Sequence, residues 1–184
     1  MSSLFSTKDG IMETDSPATM LIQEIVTTNT QSSVSFLAIP QIYRDRVVVA
    51  RGRGTHAAAV VDLLVQFNYD TSATYLRQYL EATTTVVDGA GSVTNAGCNI
   101  GALPGASAAA NYSGATRATI FNYRDTTFFK TYTSQAGTGQ ASGVLNAQID
   151  SGMWLSKAPI DHIVVVPISD AFVDGSVVSL YGMY

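Results

Sequence analysis

RDRVVVARGRGTHAAAVVDLLVQFNYDTSATY, running from Arg44 to Tyr75, is the stretch whose reading decides the fold. It contains two strongly apolar runs, Val47–Ala50 and Val60–Phe67, separated by the polar, glycine-containing connector Arg51–His56. In the second run Val61, Leu63, Val65 and Phe67 alternate with Val60, Asp62, Leu64 and Gln66, and a period of two assigns these sets to opposite faces of a strand. The first set is the cleaner core face. Asn68-Tyr69-Asp70-Thr71 closes the run with turn-forming residues. The stretch therefore reads as two buried β-strands and their loop, with the rest of the chain added around them.

Upstream, Met20–Thr28 (MLIQEIVTT) has the β-branched content of a strand. Gln31–Ile39 (QSSVSFLAI) alternates Val34, Phe36 and Ala38 with Ser33, Ser35 and Leu37. With Asn29-Thr30 between them, Met20–Ile39 is expected to form a hairpin, ended by Pro40, which cannot donate to a central ladder. Downstream, Ser72–Ala82 is compatible with two structures. Tyr75, Tyr79 and Ala82 share a helical face, whereas Tyr75, Arg77 and Tyr79 share a strand face; tyrosine content favours the strand. Val87–Ser113 is punctuated by glycines and is expected to be loops around one or two edge strands, one of them Cys98–Leu103. Further strands are expected at Ala115–Tyr123, Phe128–Ala136, Ser142–Trp154, Ile160–Pro167 and Ser176–Met183, with turns at Gly137–Gly139 and Phe172–Gly175.

The expected total is about nine to eleven strands spaced about ten to fifteen residues apart, with no alternating helices. That pattern predicts an all-β protein: an antiparallel β-sandwich of jelly-roll type over residues 20–184. Residues 1–19 are polar and without a clear period, and are expected to form an N-terminal arm. Leu4, Phe5, Ile11 and Met12 are its large apolar groups and the expected contacts with a neighbour.

Charged residues make up 13% of the 184 residues, about half the usual share of roughly 25%. Ser, Thr, Gly and Ala fill the gap, and a surface of small hydroxyl residues suits a protein packed against copies of itself or a larger assembly. The net charge of −4, with no basic stripe to offset it, argues against a nucleic-acid partner. Arg51-Gly52-Arg53-Gly54 is read as an exposed loop tip. Met1–Gly10 lacks the basic and apolar regions of a signal peptide, and no apolar run approaches the ~20 residues that span a bilayer, so a soluble protein made in the cytoplasm is expected, with its final address left open. Cys98 is a single cysteine and has no partner for an internal disulfide.

Chemistry-bearing residues are scattered. His56 and His162 are far apart in sequence, and no Gly-x-Ser-x-Gly elbow occurs. Asp62, Asp70, Asp150 and Asp161 sit in or beside strands and read as solvent-facing residues or turn caps. Asn68–Asp70 offers too few close oxygens for a calcium site. Gly137–Gly143 has the wrong glycine spacing for a phosphate loop. No enzymatic activity, cofactor or metal is expected. The aromatics are more informative: Tyr69, Tyr75, Tyr79 and Trp154 fall at strand ends or turns, where such rings either plug the sandwich or contact a glycan or protein.

A series of phrases is distinctive in its order: Leu21-Ile22-Gln23-Glu24-Ile25, Val34-Ser35-Phe36, Ile39-Pro40-Gln41 and Tyr43, then Val65-Gln66-Phe67-Asn68 with Asp70-Thr71 and Tyr75. Asn122-Tyr123, Gly152-Met153-Trp154 and Ala158-Pro159-Ile160 follow, and Phe172-Val173, Gly175-Ser176 and Ser179-Leu180-Tyr181-Gly182 close the chain. From Leu21 to Tyr184 the series resembles tailed-bacteriophage virion proteins of the head-decoration (cement) and tail-associated or fibre kinds. Tyr69 stands where that group often has glycine. The resemblance implies a structural jelly-roll module. It would be made in the host cytoplasm and act as a homotrimer on the virion exterior, bound to the major capsid protein and stabilising the shell. A tail fibre or tail-tip protein contacting host surface glycan is the alternative it implies.

Overall fold

The computed structural model describes residues 7–8, 11–12, 19–84, 86–140, 144–168 and 170–184. Their regular structure is entirely β. The strands are β1 (Thr7–Lys8), β2 (Ile11–Met12), β3 (Thr19–Val26), β4 (Val34–Phe36), β5 (Asp45–Gly52), β6 (Val60–Phe67) and β7 (Tyr75–Thr83). After these come β8 (Val86–Asn95), β9 (Cys98–Pro104), β10 (Gly114–Ile120), β11 (Lys130–Gly139), β12 (Leu145–Trp154), β13 (Ile163–Pro167) and β14 (Val177–Met183). β1 and β2 pair only with each other; the others form an eight-stranded sheet, β3-β14-β5-β10-β11-β12-β7-β8, and a four-stranded sheet, β4-β13-β6-β9. Every ladder is antiparallel.

The two strands of the deciding stretch are interior strands, and they lie in opposite sheets: β5 runs between β14 and β10, β6 between β13 and β9. Along β6, Val61, Leu63, Val65 and Phe67 are buried, and they pack with Val48, Ala50, Ile120, Val178 and Leu180 of the facing sheet. The Arg51–His56 connector therefore carries the chain across the sandwich.

The expected Met20–Ile39 hairpin does not exist. β3 pairs with β14 and the short β4 with β13, so consecutive segments enter different sheets. The same logic runs inward. With the β7–β8 and β11–β12 hairpins left aside, the first strand pairs with the last (β3 with β14) and the second with the last but one (β4 with β13). Then β5 pairs with β10, and β6 with β9. The core is thus one long double strand, nested and rolled over on itself. Local sequence cannot display pairings of this kind, because each joins residues far apart in the chain.

Three further expectations need correction. Twelve strands build the two sheets, not nine to eleven. Gly137–Gly139 does not turn the chain; it ends β11, in register with β12 through Gly139 opposite Leu145. Val87–Ser113 does hold two edge strands, one of them at Cys98–Pro104 as expected, but the ten-residue β8 and seven-residue β9, not loops, occupy most of it. Ser72–Ala82 does form a strand, β7.

β9 is buried throughout and crosses the inner face of the long sheet. Its free edge is satisfied by that sheet: Thr116 Oγ1 donates to the Ile100 carbonyl and Thr138 Oγ1 to the Ala102 carbonyl. Gly101 sits at the closest approach, at φ +122°, where a Cβ would lie 2.3 Å from that of Ala136. Only glycine fits that backbone and that gap.

Candidate interaction surfaces

At one end of the sandwich the loops 37–44, 68–74, 121–129 and 155–162 are laced together by hydrogen bonds. Arg124 Nη1 donates to the Gln41 carbonyl (2.9 Å), and Gln41 Nε2 to the Ile160 carbonyl (2.9 Å). The Ile160 amide donates to the Tyr123 carbonyl (2.8 Å), Asn68 Nδ2 to the Pro159 carbonyl (2.8 Å), and the Leu155 amide to the Thr74 carbonyl (2.9 Å). Beneath them the fully buried Arg46 lies between two rings, its guanidinium 3.9 Å from the Tyr123 centroid and 4.8 Å from the Tyr43 centroid. It donates to Tyr123 Oη (2.7 Å) and to the Pro40 carbonyl. Burial lowers its pKa, and the two tyrosines act against that.

This ordered end exposes Leu37, Ile42, Tyr69, Phe121, Phe128, Phe129 and Leu155, and Phe128 is 69% exposed. Large apolar side chains held out by a hydrogen-bonded loop scaffold make this end a candidate interaction surface.

Of the four aromatic residues singled out in the sequence, two are at the surface and two are not. Tyr69 is exposed and packs on the His162 ring at 5.1 Å, and His162 Nδ1 is 2.6 Å from Asp161 Oδ1. Tyr79 is half-buried, with the Arg77 guanidinium 4.3 Å from its centroid. Tyr75 and Trp154 are core residues, stacked on each other and packed on Phe67, and present no face to a surface partner. They are buried because their polar ends find partners inside. Tyr75 Oη donates to the Asp70 carbonyl (3.0 Å) and accepts from the Phe67 amide (3.0 Å), while Trp154 Nε1 donates to Asp70 Oδ2 (2.7 Å). In the arm, Leu4 and Phe5 lie outside the described residues, and Ile11-Met12 forms β2.

The opposite end is polar and centred on Arg53. It is no free loop-tip cation: its guanidinium donates to the carbonyls of Gly105, Ala108, Ala109 and Tyr112, which shapes the loop after β9.

A second apolar area covers the outer face of the long sheet. The register sets Gln135, Ile149 and Leu80 in one row, and Gly137, Ala147, Ala82 and Val87 in the next. Leu80, Val87 and Ile149 are exposed there.

On the inner face of the same strands, sequence reading missed a buried polar cluster. Asp150 is fully buried; it accepts from Arg77 Nε (2.7 Å) and Gln148 Nε2 (2.8 Å). Burial raises its pKa, which Arg77 and Gln148 partly offset. Asp62 is likewise raised by burial, with Arg77 and Asn99 acting in the other direction. Asp150 was read as a solvent-facing or capping residue. Strand alternation does place it on the face shared with Gln148 and Trp154, but that face becomes interior only because β9 lies over it.

No protein family, curated protein or solved structure matches this chain. Among the described residues no helix is long and apolar enough to cross a membrane.

Proposed function

We propose that this chain is a virion structural protein of a tailed bacteriophage, a cement protein that binds the outside of the capsid and stabilises it. The apolar loop end carries this reading: Ile42, Phe128 and their neighbours are displayed in water on loops fixed by internal hydrogen bonds. Such a surface is preorganised to bury area against a neighbouring protein. The nested pairing of first strand with last within an antiparallel β-sandwich supports the jelly-roll module that the ordered phrases from Leu21 to Tyr184 imply. The low charge supports the same reading. In this role the protein acts without catalysis or cofactor. It is a homotrimer seated where shell subunits meet, and the arm reaches a neighbour. Binding only the assembled shell stabilises that state by mass action.

The alternative, a tail fibre or tail-tip protein contacting host glycan, rests on Tyr69. This exposed ring backed by His162 is a stacking platform for a sugar.

Copy number per particle, from quantitative mass spectrometry of purified virions, tests the proposal. A number of the same order as the major shell protein supports the cement role. A handful of copies favours the tail, and absence from virions refutes both.

A further inference from the structure

The two main sheets have four edge strands, and three of them are guarded against pairing with another chain. β4 is three residues long. β9 is covered by the long sheet and its carbonyls are bonded to Thr116 and Thr138. β3 carries Glu24, which accepts from Ser179 Oγ, and its ladder is broken mid-strand, between Leu21 and Gln23, by a register shift at Leu180/Tyr181, whereas the shift in β8 falls at the strand's end. Short length, cover, charge and irregularity are the devices that keep sheet edges from associating.

β8 has little such protection. It is ten residues long, VVDGAGSVTN, with Asp88 as its one charge and without lysine, arginine or proline. Among the described residues it pairs only with β7. Every residue from Val86 to Gly91 is exposed, so neither face of this stretch is covered by the opposite sheet. Val87 and Val93 are 75% and 72% exposed. The Gly89 amide donates to the Asp88 carboxylate (2.8 Å), which marks the outward direction; by alternation Val87 and Gly91 also turn their peptide groups outward.

We propose that β8 pairs antiparallel with β8 of a second copy of this chain, about a two-fold axis at Ala90. The strand's own sequence selects this register. A centre at Asp88 sets like charges opposite each other, and a centre at Gly89 sets Val87 opposite Gly91. A centre at Ala90 sets Val87 opposite the second copy's Val93, Asp88 opposite Ser92 and Gly89 opposite Gly91. Each carboxylate then meets a hydroxyl, and each exposed valine meets another. The outward peptide groups of Gly89 and Gly91 face each other as a hydrogen-bonded pair, and the Asp88 carboxylate gives up the Gly89 amide to the new ladder. The one irregularity in the β7–β8 ladder lies between Ser92 and Asn95, so it reaches Val93 at the outer end of the new ladder and leaves the Asp88–Ser92, Gly89–Gly91 and Ala90 pairs in regular strand. The interface joins two long sheets edge to edge and brings the exposed Leu80 and Val87 of both copies onto one continuous face. It stands independently of the virion role. In a trimer, such a two-fold contact links one trimer to the next.

Sedimentation velocity on the full chain, over a range of concentrations, tests this with two register-specific variants. V87K/V93K sets lysine opposite lysine, and the largest species of wild type is expected to give way to a smaller one, of half its mass where the contact joins two single chains. V87K/V93E sets lysine opposite glutamate, and the wild-type mass is expected to return. Both positions are exposed, so both variants are expected to stay folded, with circular dichroism spectra like that of wild type; the unfolding midpoint of V87K/V93K is expected to fall only by what the lost association contributes. Independently, A90C is expected to form a disulfide-linked dimer under oxidation. Directly opposed residues of a non-hydrogen-bonded pair lie about 4.5 Å apart at Cα, within disulfide reach. The buried Cys98 does not compete. Equal mass for wild type and V87K/V93K, failure of V87K/V93E to restore the mass, or a monomeric A90C would each overturn the proposal.

Discussion

Trp154 Nε1 donates to Asp70 Oδ2 at 2.7 Å across 84 positions of sequence, which fixes the turn after β6 to the last residue of β12. The same carboxylate accepts from the Ser72 amide (2.9 Å), the Ser72 hydroxyl and Thr74 Oγ1 (2.7 Å). One acidic side chain thus sets both the local turn and its docking. It also explains why Trp154 is interior: the indole has a charged acceptor to bury against.

Asp70→Asn is therefore expected to destabilise the protein by about 1 kcal/mol, a value reduced for solvent screening of this accessible group. Desolvation alone raises the Asp70 pKa; the hydrogen bonds from Ser72, Trp154 and Thr74 outweigh it and bring it from 3.8 down to about 2. A depressed carboxylate pKa stabilises the fold above its ordinary value, and that stability is lost as pH falls through the folded value. The gap between wild type and D70N is expected to close between pH 4 and pH 2. Urea unfolding at a series of pH values measures it, and a gap that persists at pH 2 contradicts the assignment.

Asp150 has the opposite sign. Its pKa is raised, first by burial, so its contribution to stability is full below the ordinary carboxylate value and is lost as pH rises through the folded one. Asp150→Ala leaves the Arg77 guanidinium without its 2.7 Å partner, and a loss of about 3–5 kcal/mol is expected at neutral pH. As pH falls from neutral toward the ordinary carboxylate value, the wild type is expected to gain on D150A. Paired unfolding curves check both the size and the direction.

Arg46→Lys tests the loop scaffold. A lysine keeps the charge but loses the planar contact with Tyr43 and Tyr123 and the fork that reaches Tyr123 Oη and the Pro40 carbonyl together. A destabilisation of about 2 kcal/mol or more is expected, read from the unfolding midpoint. A midpoint unchanged from wild type would mean that the ring–guanidinium stack holds nothing together.

Ile42→Ser with Phe128→Ser addresses function. Both residues are exposed, so folding stability is expected to change by no more than about 0.5 kcal/mol. Attachment to purified shells is expected to fall at least tenfold in a co-sedimentation assay. Normal attachment by this variant would move the contact away from the loop end.

Removal of residues 1–18 is expected to weaken attachment while the protein stays folded, since the main sheets begin at Thr19. Circular dichroism and the same co-sedimentation assay separate the two effects, and undiminished binding would dispose of the clamping arm.

The sequence by itself made legible most strands and, along β6, the face that becomes core. Both follow from local rules, alternation and β-branched content, that act within a few residues. It also placed Asn68–Thr71 at a turn and identified the low charge that sets this chain apart. Only the tertiary structure decided which strands meet. The nesting of β3 with β14 and β4 with β13 replaced the expected hairpin, because pairing is settled by the shared burial of Val34, Phe36, Val65 and Val178 across long loops. Tertiary structure likewise turned Tyr75 and Trp154 inward and made Asp150 a buried carboxyl beside Arg77, since the value of a polar group depends on which distant residue arrives to meet it.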